Sequence, residues 1–410
     1  MALAPTTKTV DLIYFNAGGG HRASALALEA VARQQNRPWK VRLVDLIQVL
    51  DPHERYHQFT GMRPEDWYNE RLARGWTAGL AQELKLFQAL IRLAHPTLVR
   101  RLRQHWLRTE PDLVVSLVPN FNRALYQSVA QALPGVPYVT VLTDLADYPP
   151  RFWIERDQCQ HFICGTPKAV AQARAMGHPA HRVHATSGMI LRPAFYQAPR
   201  IDRAQERRRL GLDPARPVGL VLFGGHGSRV MLSIARRLGH IQLILLCGHN
   251  QALAERLRAL PAEAPRLVVG FTTDIPYYMQ LADFFIGKPG PGSISEAVQQ
   301  GLPVIVVDNA WTMPQERYNP QWVRENGVGI VHPSYRTLER AVAELVGRLD
   351  EFRANARALE NRALFEIPQI LADILAQAEA GPDTNGAGLD IARSHLPHDA
   401  AAPPAERRAR

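Results

Sequence analysis

Along most of this 410-residue chain, short apolar runs alternate with longer stretches whose apolar residues recur every third or fourth position. Short continuous runs read as strands buried on both faces, and the longer period reads as helices laid against them. In the first half "TVDLIYFN", "VRLVDLI", "DLVVSLV" and "PYVTVLTDL" are strands, with residues 22–35, 83–107 and 120–132 as the helices between them. In the second half "PVGLVLFGG", "IQLILLCG", "RLVVGF", "DFFIGK", "PVIVVD" and "GVGIV" repeat the pattern, and 334–378 reads as helix except near Pro368. This alternation predicts an α/β fold on parallel sheets. A polar, proline-punctuated stretch at 192–217 divides it, so two Rossmann-like domains are expected, at 1–195 and 205–378, facing across a cleft. Residues 381–410 lose all pattern and are expected to be a disordered tail.

Composition narrows the class. A content of 46% hydrophobic and 21% charged residues fits a globular protein, and no apolar stretch approaches the ~20 residues of a membrane span. The first residues lack the apolar core of a signal peptide, and the three cysteines show no zinc-type pairing. A cytoplasmic protein, peripheral on the inner membrane face, is expected. The net charge of +10 is almost all arginine. No RNA-binding signature or zinc finger accompanies it, so nucleic acid is not the expected partner. An anionic membrane surface is. Arginines 71, 74, 92, 100, 101 and 103 interleave with Trp76, Leu80, Leu84, Phe87, Leu90 and Ile91, as on a helix lying on acidic lipid or one facing a core.

Three glycine-rich junctions join strand to helix: "FNAGGGHRASA", "LFGGHGSRV" (222–230) and "GKPGPGSISEA" (287–297). Glycine lets backbone approach a phosphate, and a helix start offers unpaired N–H groups and a positive dipole end. None ends in the Gly-Lys-Ser/Thr of a nucleotide-kinase loop, and none has dinucleotide glycine spacing. Together they point to a phosphate ligand; tight turns alone are the plainer alternative. Lys288 offers a compact charge at the third junction or is a solvated strand-end lysine. Glu296, one turn into the next helix, is also what a helix dipole favours on its own.

"GGGHRASA", followed by "GFTTDIPYYMQLADFFIGKPGPGSISEAVQQGLPVIV" and "PQERYN", resembles glycosyltransferase family 28, in particular the monogalactosyldiacylglycerol synthases and related diacylglycerol glycosyltransferases. The similarity runs through most of 9–330, including "TDL" at 143–145 and "LRP" at 191–193. The resemblance implies a GT-B architecture and inverting transfer of galactose or glucose from a UDP-sugar to a lipid such as diacylglycerol. The UDP-sugar is a substrate; no cofactor or metal is implied. It further implies that Gly19 and Gly20 approach the ligand and that Gly225, Gly227 and Ser228 face the diphosphate. Phe271 and Thr272 would read the uracil, and Gly290, Gly292 and Ser293 would open the phosphate-facing helix. Glu296 would accept from the ribose, while Gln315 and Glu316 would hold the sugar. His226 and Tyr148 depart from the pattern.

His21 sits where the first glycine loop becomes a helix. The dipole there disfavours the imidazolium, so the ring is expected neutral and able to take a proton from an acceptor hydroxyl, or else only fills its loop. Asp144, in "LTDLAD", either orients His21, is itself the base, or caps the following turn. That segment is not the Asp-X-Asp by which other glycosyltransferases hold a metal. A zinc-peptidase pattern, "HERYH" (His53 to His57), is present without a natural third ligand. A UDP-sugar 2-epimerase and a non-catalytic nucleotide-sugar-binding protein are the alternatives to a transferase.

Overall fold

The computed structural model describes residues 7–16, 20–52, 80–197 and 201–380. Its first sheet is built from β1 (Lys8–Tyr14), β2 (Trp39–Asp45), β3 (Leu113–Ser116), β4 (Tyr138–Val141), β5 (His161–Cys164) and β6 (Val183–Ala185). All pairings are parallel, in the order β2-β1-β3-β4-β5-β6. The connecting helices are α1 (Gly20–Gln34), α2 (Leu46–Leu50), α3 (Leu80–Thr109), α4 (Asn122–Ala132) and α5 (Pro167–Ala175). The second sheet uses β7 (Val218–Leu222), β8 (Gln242–Leu246), β9 (Arg266–Val269), β10 (Phe284–Gly287), β11 (Val304–Val307) and β12 (Gly329–His332). It too is wholly parallel, in the order β12-β11-β10-β7-β8-β9. Around it lie α6 (Arg203–Arg209), α7 (Val230–Arg237), α8 (Gln251–Arg258), α9 (Ile275–Leu281), α10 (Pro291–Gln299), α11 (Tyr318–Glu325), α12 (Leu338–Gly347) and α13 (Leu349–Ala358).

Every residue of β3, β7, β8, β10 and β11 is buried, as strands covered on both faces require. Each sheet separates two apolar clusters. In the second domain, Leu220, Leu222 and Phe285 face one way, and Val221, Leu243 and Ile286 the other. Strand order reverses between β1 and β3 in the first sheet and between β7 and β10 in the second. Open α/β sheets take ligands at the carboxyl ends beside such switch points. Those ends carry all three glycine junctions.

The expected helix over 334–378 differs in one instructive way. It is cut after Gly347 and again at 359–362, whereas Pro368 lies inside α14 (Ala363–Ala380). Asn361 makes the second break: its Nδ2 donates to the Met189 carbonyl at 2.9 Å, and its Oδ1 accepts from the Ala363 N–H at 3.1 Å. From there α14 returns to the first domain. Leu364, Ile367, Leu371 and Ile374 bury against Leu12, Val115, Val139 and Leu28. The second domain therefore does not run unbroken to 378, because the apolar face of the last helix covers the first sheet.

Within 192–217, α6 clamps to the second domain. Arg203 and Arg207 pair with Asp283 at 2.7 and 2.6 Å, and Arg353 pairs with the same carboxylate. The "HERYH" segment, the arginines at 71 and 74, Trp76 and the tail 381–410 lie outside the described residues.

Candidate functional site

The two sheets' carboxyl ends enclose a cleft of about 1140 Å³. Its second-domain wall is made by the loops after β7, β8, β9 and β10, and contributes Gly225, Gly248, Gly270, Phe271, Thr272, Gly290, Gly292 and Ser293. At the start of the nine-residue helix α10, Gly290 is the cap residue and Pro291 occupies the first turn, and no side chain makes a capping hydrogen bond there. Its first residues line the cleft, and a helix start without side-chain caps favours an anion. The loops are stitched to one another. The His249 N–H donates to the Gly225 carbonyl at 2.8 Å, and at Gly248 (φ +57°) a Cβ would lie 1.9 Å from that carbonyl. Only glycine allows so close an approach.

At the outer end of this wall Phe271 is 58% exposed and stacks on His249, with ring centres 3.9 Å apart and planes at 21°. At the inner end Lys288 pairs with the buried Glu316 at 2.9 Å, beside Gln315. Glu296 faces the cleft from α10, 3.9 Å from the Arg192 guanidinium. Burial pushes its carboxyl up to about 7, against the pull of Arg192.

The first-domain wall is different in kind. His21, second residue of α1, meets Thr143 Oγ1 through Nδ1 at 3.1 Å and packs edge-on to Phe15 at 6.1 Å. Burial lowers its pKa to about 4, opposed by the Leu117 carbonyl. Desolvation, and not the helix dipole, is the main cause of that lowering. Asp144 neither caps a turn nor pairs with His21. Its Oδ2 accepts from the Trp153 indole N–H at 2.8 Å, and turn capping falls to Asp147, which accepts from the N–H groups of Arg151 and Trp153. Burial lifts Asp144 to about 7, with Trp153 and Lys288 pulling down and Glu316 pushing up. Beyond these two polar groups the wall turns apolar, through Ile47, Leu50, Leu84, Phe87, Leu90, Ile91, Phe121 and Phe152, with Glu83 set among them.

Residues 220–374 match the Glycosyltransferase family 28 C-terminal domain. The chain carries a family 28 glycosyltransferase domain. Most of the chain is distantly related to monogalactosyldiacylglycerol synthases. It is 26% identical to monogalactosyldiacylglycerol synthase 1 of Arabidopsis thaliana over 410 aligned residues, covering 92% of this chain and 73% of the plant protein. Among solved structures it resembles MurG of Acinetobacter baumannii (TM-score 0.56, 15% identity, 89% of this chain and 99% of that one). It also resembles a UDP-N-acetylglucosamine 2-epimerase (TM-score 0.53, 12% identity, 90% and 96%). These likenesses establish the GT-B-like fold and, because an epimerase shares it, do not by themselves choose a reaction.

The cleft gathers His21, Asp144, Gly20, Gly225, Phe271, Thr272, Lys288, Gly290, Gly292, Ser293, Glu296, Gln315 and Glu316. Gly19 lies outside the described residues. Two expected residues are not on the lining. Gly227 (φ +60°) is packed against Leu253 and the Cys247 carbonyl, and Ser228 turns its hydroxyl to the Val230 N–H at 3.3 Å. They shape the loop behind Gly225 instead of fronting the cleft. Of the two departures, His226 is exposed, and Tyr148 stacks across the interdomain boundary on Tyr318, ring centres 6.3 Å apart. Thr143, Trp153 and Arg192 reach the site without having been singled out. "TDL" and "LRP" contain two of them, but nothing in either triplet shows what its side chain touches.

Proposed function

We propose that this protein is an inverting, metal-independent glycosyltransferase that moves galactose or glucose from its UDP donor to a lipid hydroxyl, with diacylglycerol as acceptor. The observation that carries the reading is the two-sided cleft. An uncapped helix start and three glycine turns form one wall, an apolar channel leads out of the other, and His21 and Asp144 sit where they meet. On this reading the nucleotide lies along the second domain, its base toward Phe271 and Thr272, its ribose at Glu296 and its diphosphate over Gly225, Gly290, Gly292 and Ser293. Gln315 and Glu316 hold the sugar, and Lys288 adds positive charge near the leaving phosphate. The distant relationship to monogalactosyldiacylglycerol synthases supports a lipid acceptor. The arginine-rich α3 supports a peripheral position on the cytoplasmic face of an anionic membrane, and no helix among the described residues is long and apolar enough to cross one.

In the proposed reaction the acceptor oxygen forms a bond to the anomeric carbon as the bond to the phosphate oxygen breaks, and UDP leaves with that electron pair. The hydroxyl proton passes to neutral His21, whose ring is oriented by Thr143. Helix-start amides take up the charge that develops on UDP. Mass spectrometry of lipids from cells expressing the protein, beside a His21→Ala control, tests the class. A new hexosyl lipid confined to the active protein is the expected result. UDP-sugar consumption without acceptor would instead support the epimerase, and UDP binding without turnover a binding protein.

A further inference from the structure

We propose that Arg192 is a positioning residue for the nucleoside half of the donor, holding the ribose-facing carboxylate of Glu296 and the base-facing loop at Thr273 in one arrangement. The inference rests on the reading that a UDP-sugar lies along the second-domain wall, and it assigns a role to a residue outside both sheets. Arg192 belongs to the crossover between domains, one residue before Pro193. Its guanidinium is fixed on three sides. Nη1 donates to the Thr273 carbonyl at 3.1 Å, Nη2 stands 3.9 Å from Glu296 Oε1, and the guanidinium carbon sits 5.1 Å above the ring of the fully buried Phe195. A planar, permanently charged fork reaches two partners at once in a way a lysine does not.

The two contacts bear on different parts of one ligand. Thr273 closes the loop in which Gly270, Phe271 and Thr272 line the cleft, while Glu296 projects from α10 into the same space. An ionised carboxylate accepts from both hydroxyls of a ribose; a protonated one gives up part of that capacity. Burial favours the protonated form of Glu296, and Arg192 is the charged group that opposes it among the described residues. Since the same side chain anchors the loop after β9, the crossover ties the ribose and base contacts together.

Calorimetric titration of UDP into the full-length protein tests this, using wild type, Arg192→Gln, Arg192→Lys, Glu296→Gln and the Arg192→Gln/Glu296→Gln pair from about pH 6.5 to about pH 9. Wild type is expected to bind UDP, more weakly as pH falls below about 7. Arg192→Gln should bind about 10-fold more weakly at neutral pH and recover most of the deficit at the alkaline end, since each pH unit below a carboxyl's midpoint removes about 90% of its ionised form. Arg192→Lys should fall between them, and it carries the same pH test if Arg192→Gln does not fold. The double variant should be weaker than Glu296→Gln alone by clearly less than Arg192→Gln is weaker than wild type at neutral pH, the remainder being the loop contact at Thr273. An Arg192→Gln affinity equal to wild type at every pH overturns the proposal. So does a deficit that is constant with pH and adds in full to that of Glu296→Gln, which would mean Arg192 touches the nucleotide directly. Failure of wild type to bind UDP at all overturns the donor reading itself, a result distinct from either.

Discussion

The two walls of the cleft recognise by opposite means. The second-domain wall is mostly backbone: glycine turns, an uncapped helix start and a few anchored side chains. The first-domain wall is mostly side chain, a neutral imidazole and a carboxyl in front of an apolar channel. A backbone wall suits a ligand of fixed charge and shape, because amides locked into a sheet and helix need little reorganisation when it arrives. A side-chain wall suits a hydroxyl-bearing, largely apolar molecule whose proton must be removed. Under the proposed function, chemistry and acceptor choice would fall to the first domain and donor binding to the second.

The sharpest way to break that division is His21→Ala. Turnover is expected to fall about 100-fold or more while UDP affinity stays within twofold. A loss under tenfold, or a matching loss of UDP binding, would remove the imidazole from its role.

Asp144→Asn comes next and is read by pH. A carboxyl lifted from its ordinary value near 4 to about 7 opposes folding once ionised, so that destabilisation is absent below pH 4, grows through the window between and is complete above 7. The variant keeps an acceptor for the Trp153 N–H and should raise stability by roughly 2 to 4 kcal/mol at pH 8, with no gain at pH 4, in chemical denaturation. With His21 as base, turnover at saturating donor should stay flat from alkaline pH to about 6 in both proteins. An acid limb near 7 that vanishes in the variant would transfer the proton-accepting role to Asp144.

Leu90→Asp probes the apolar channel. Leu90 is 53% exposed on α3 and lines the cleft, so charging it should raise the KM for a diacylglycerol dispersed in detergent by about tenfold, about 1.4 kcal/mol of lost apolar contact. UDP affinity should not move; if it does, the walls are not independent. The smallest effect is expected from His249→Ala. Removing a ring stacked on Phe271 should weaken UDP by about two- to tenfold, the range of one aromatic contact, without altering kcat.

The contrast between the walls also explains what could be read from the chain alone. Strands such as "LVLF" and "VIVV" declare themselves because both faces are buried, and glycine junctions declare a backbone wall because glycine is written in the sequence wherever backbone must come close. β5 and β6 were not legible: "HFIC" and "VHA" are short, and each carries a histidine, His161 and His184, which meet across the sheet edge at 3.1 Å. Gly227 and Ser228 match the motif yet turn away from the cleft, because a motif fixes a loop and leaves open which of its atoms face outward. The partner of His21, Thr143, is concealed by its distance along the chain, and that of Asp144, Trp153, by the irregular loop after β4, which no periodicity describes. The path of α14 was hidden for a related reason. Its apolar stripe announces burial but not against which sheet, and only the break at Asn361 directs it back.

That returning helix means the molecule cannot be divided by one scission. A cut in the segment near residue 200 leaves the first domain without the stripe of Leu364, Ile367, Leu371 and Ile374 that roofs its sheet, and leaves the second domain trailing an exposed apolar helix. Anyone seeking the second domain alone should end it shortly after Ala358, and anyone seeking the first must supply α14 as a separate peptide or splice it on by permuting the chain.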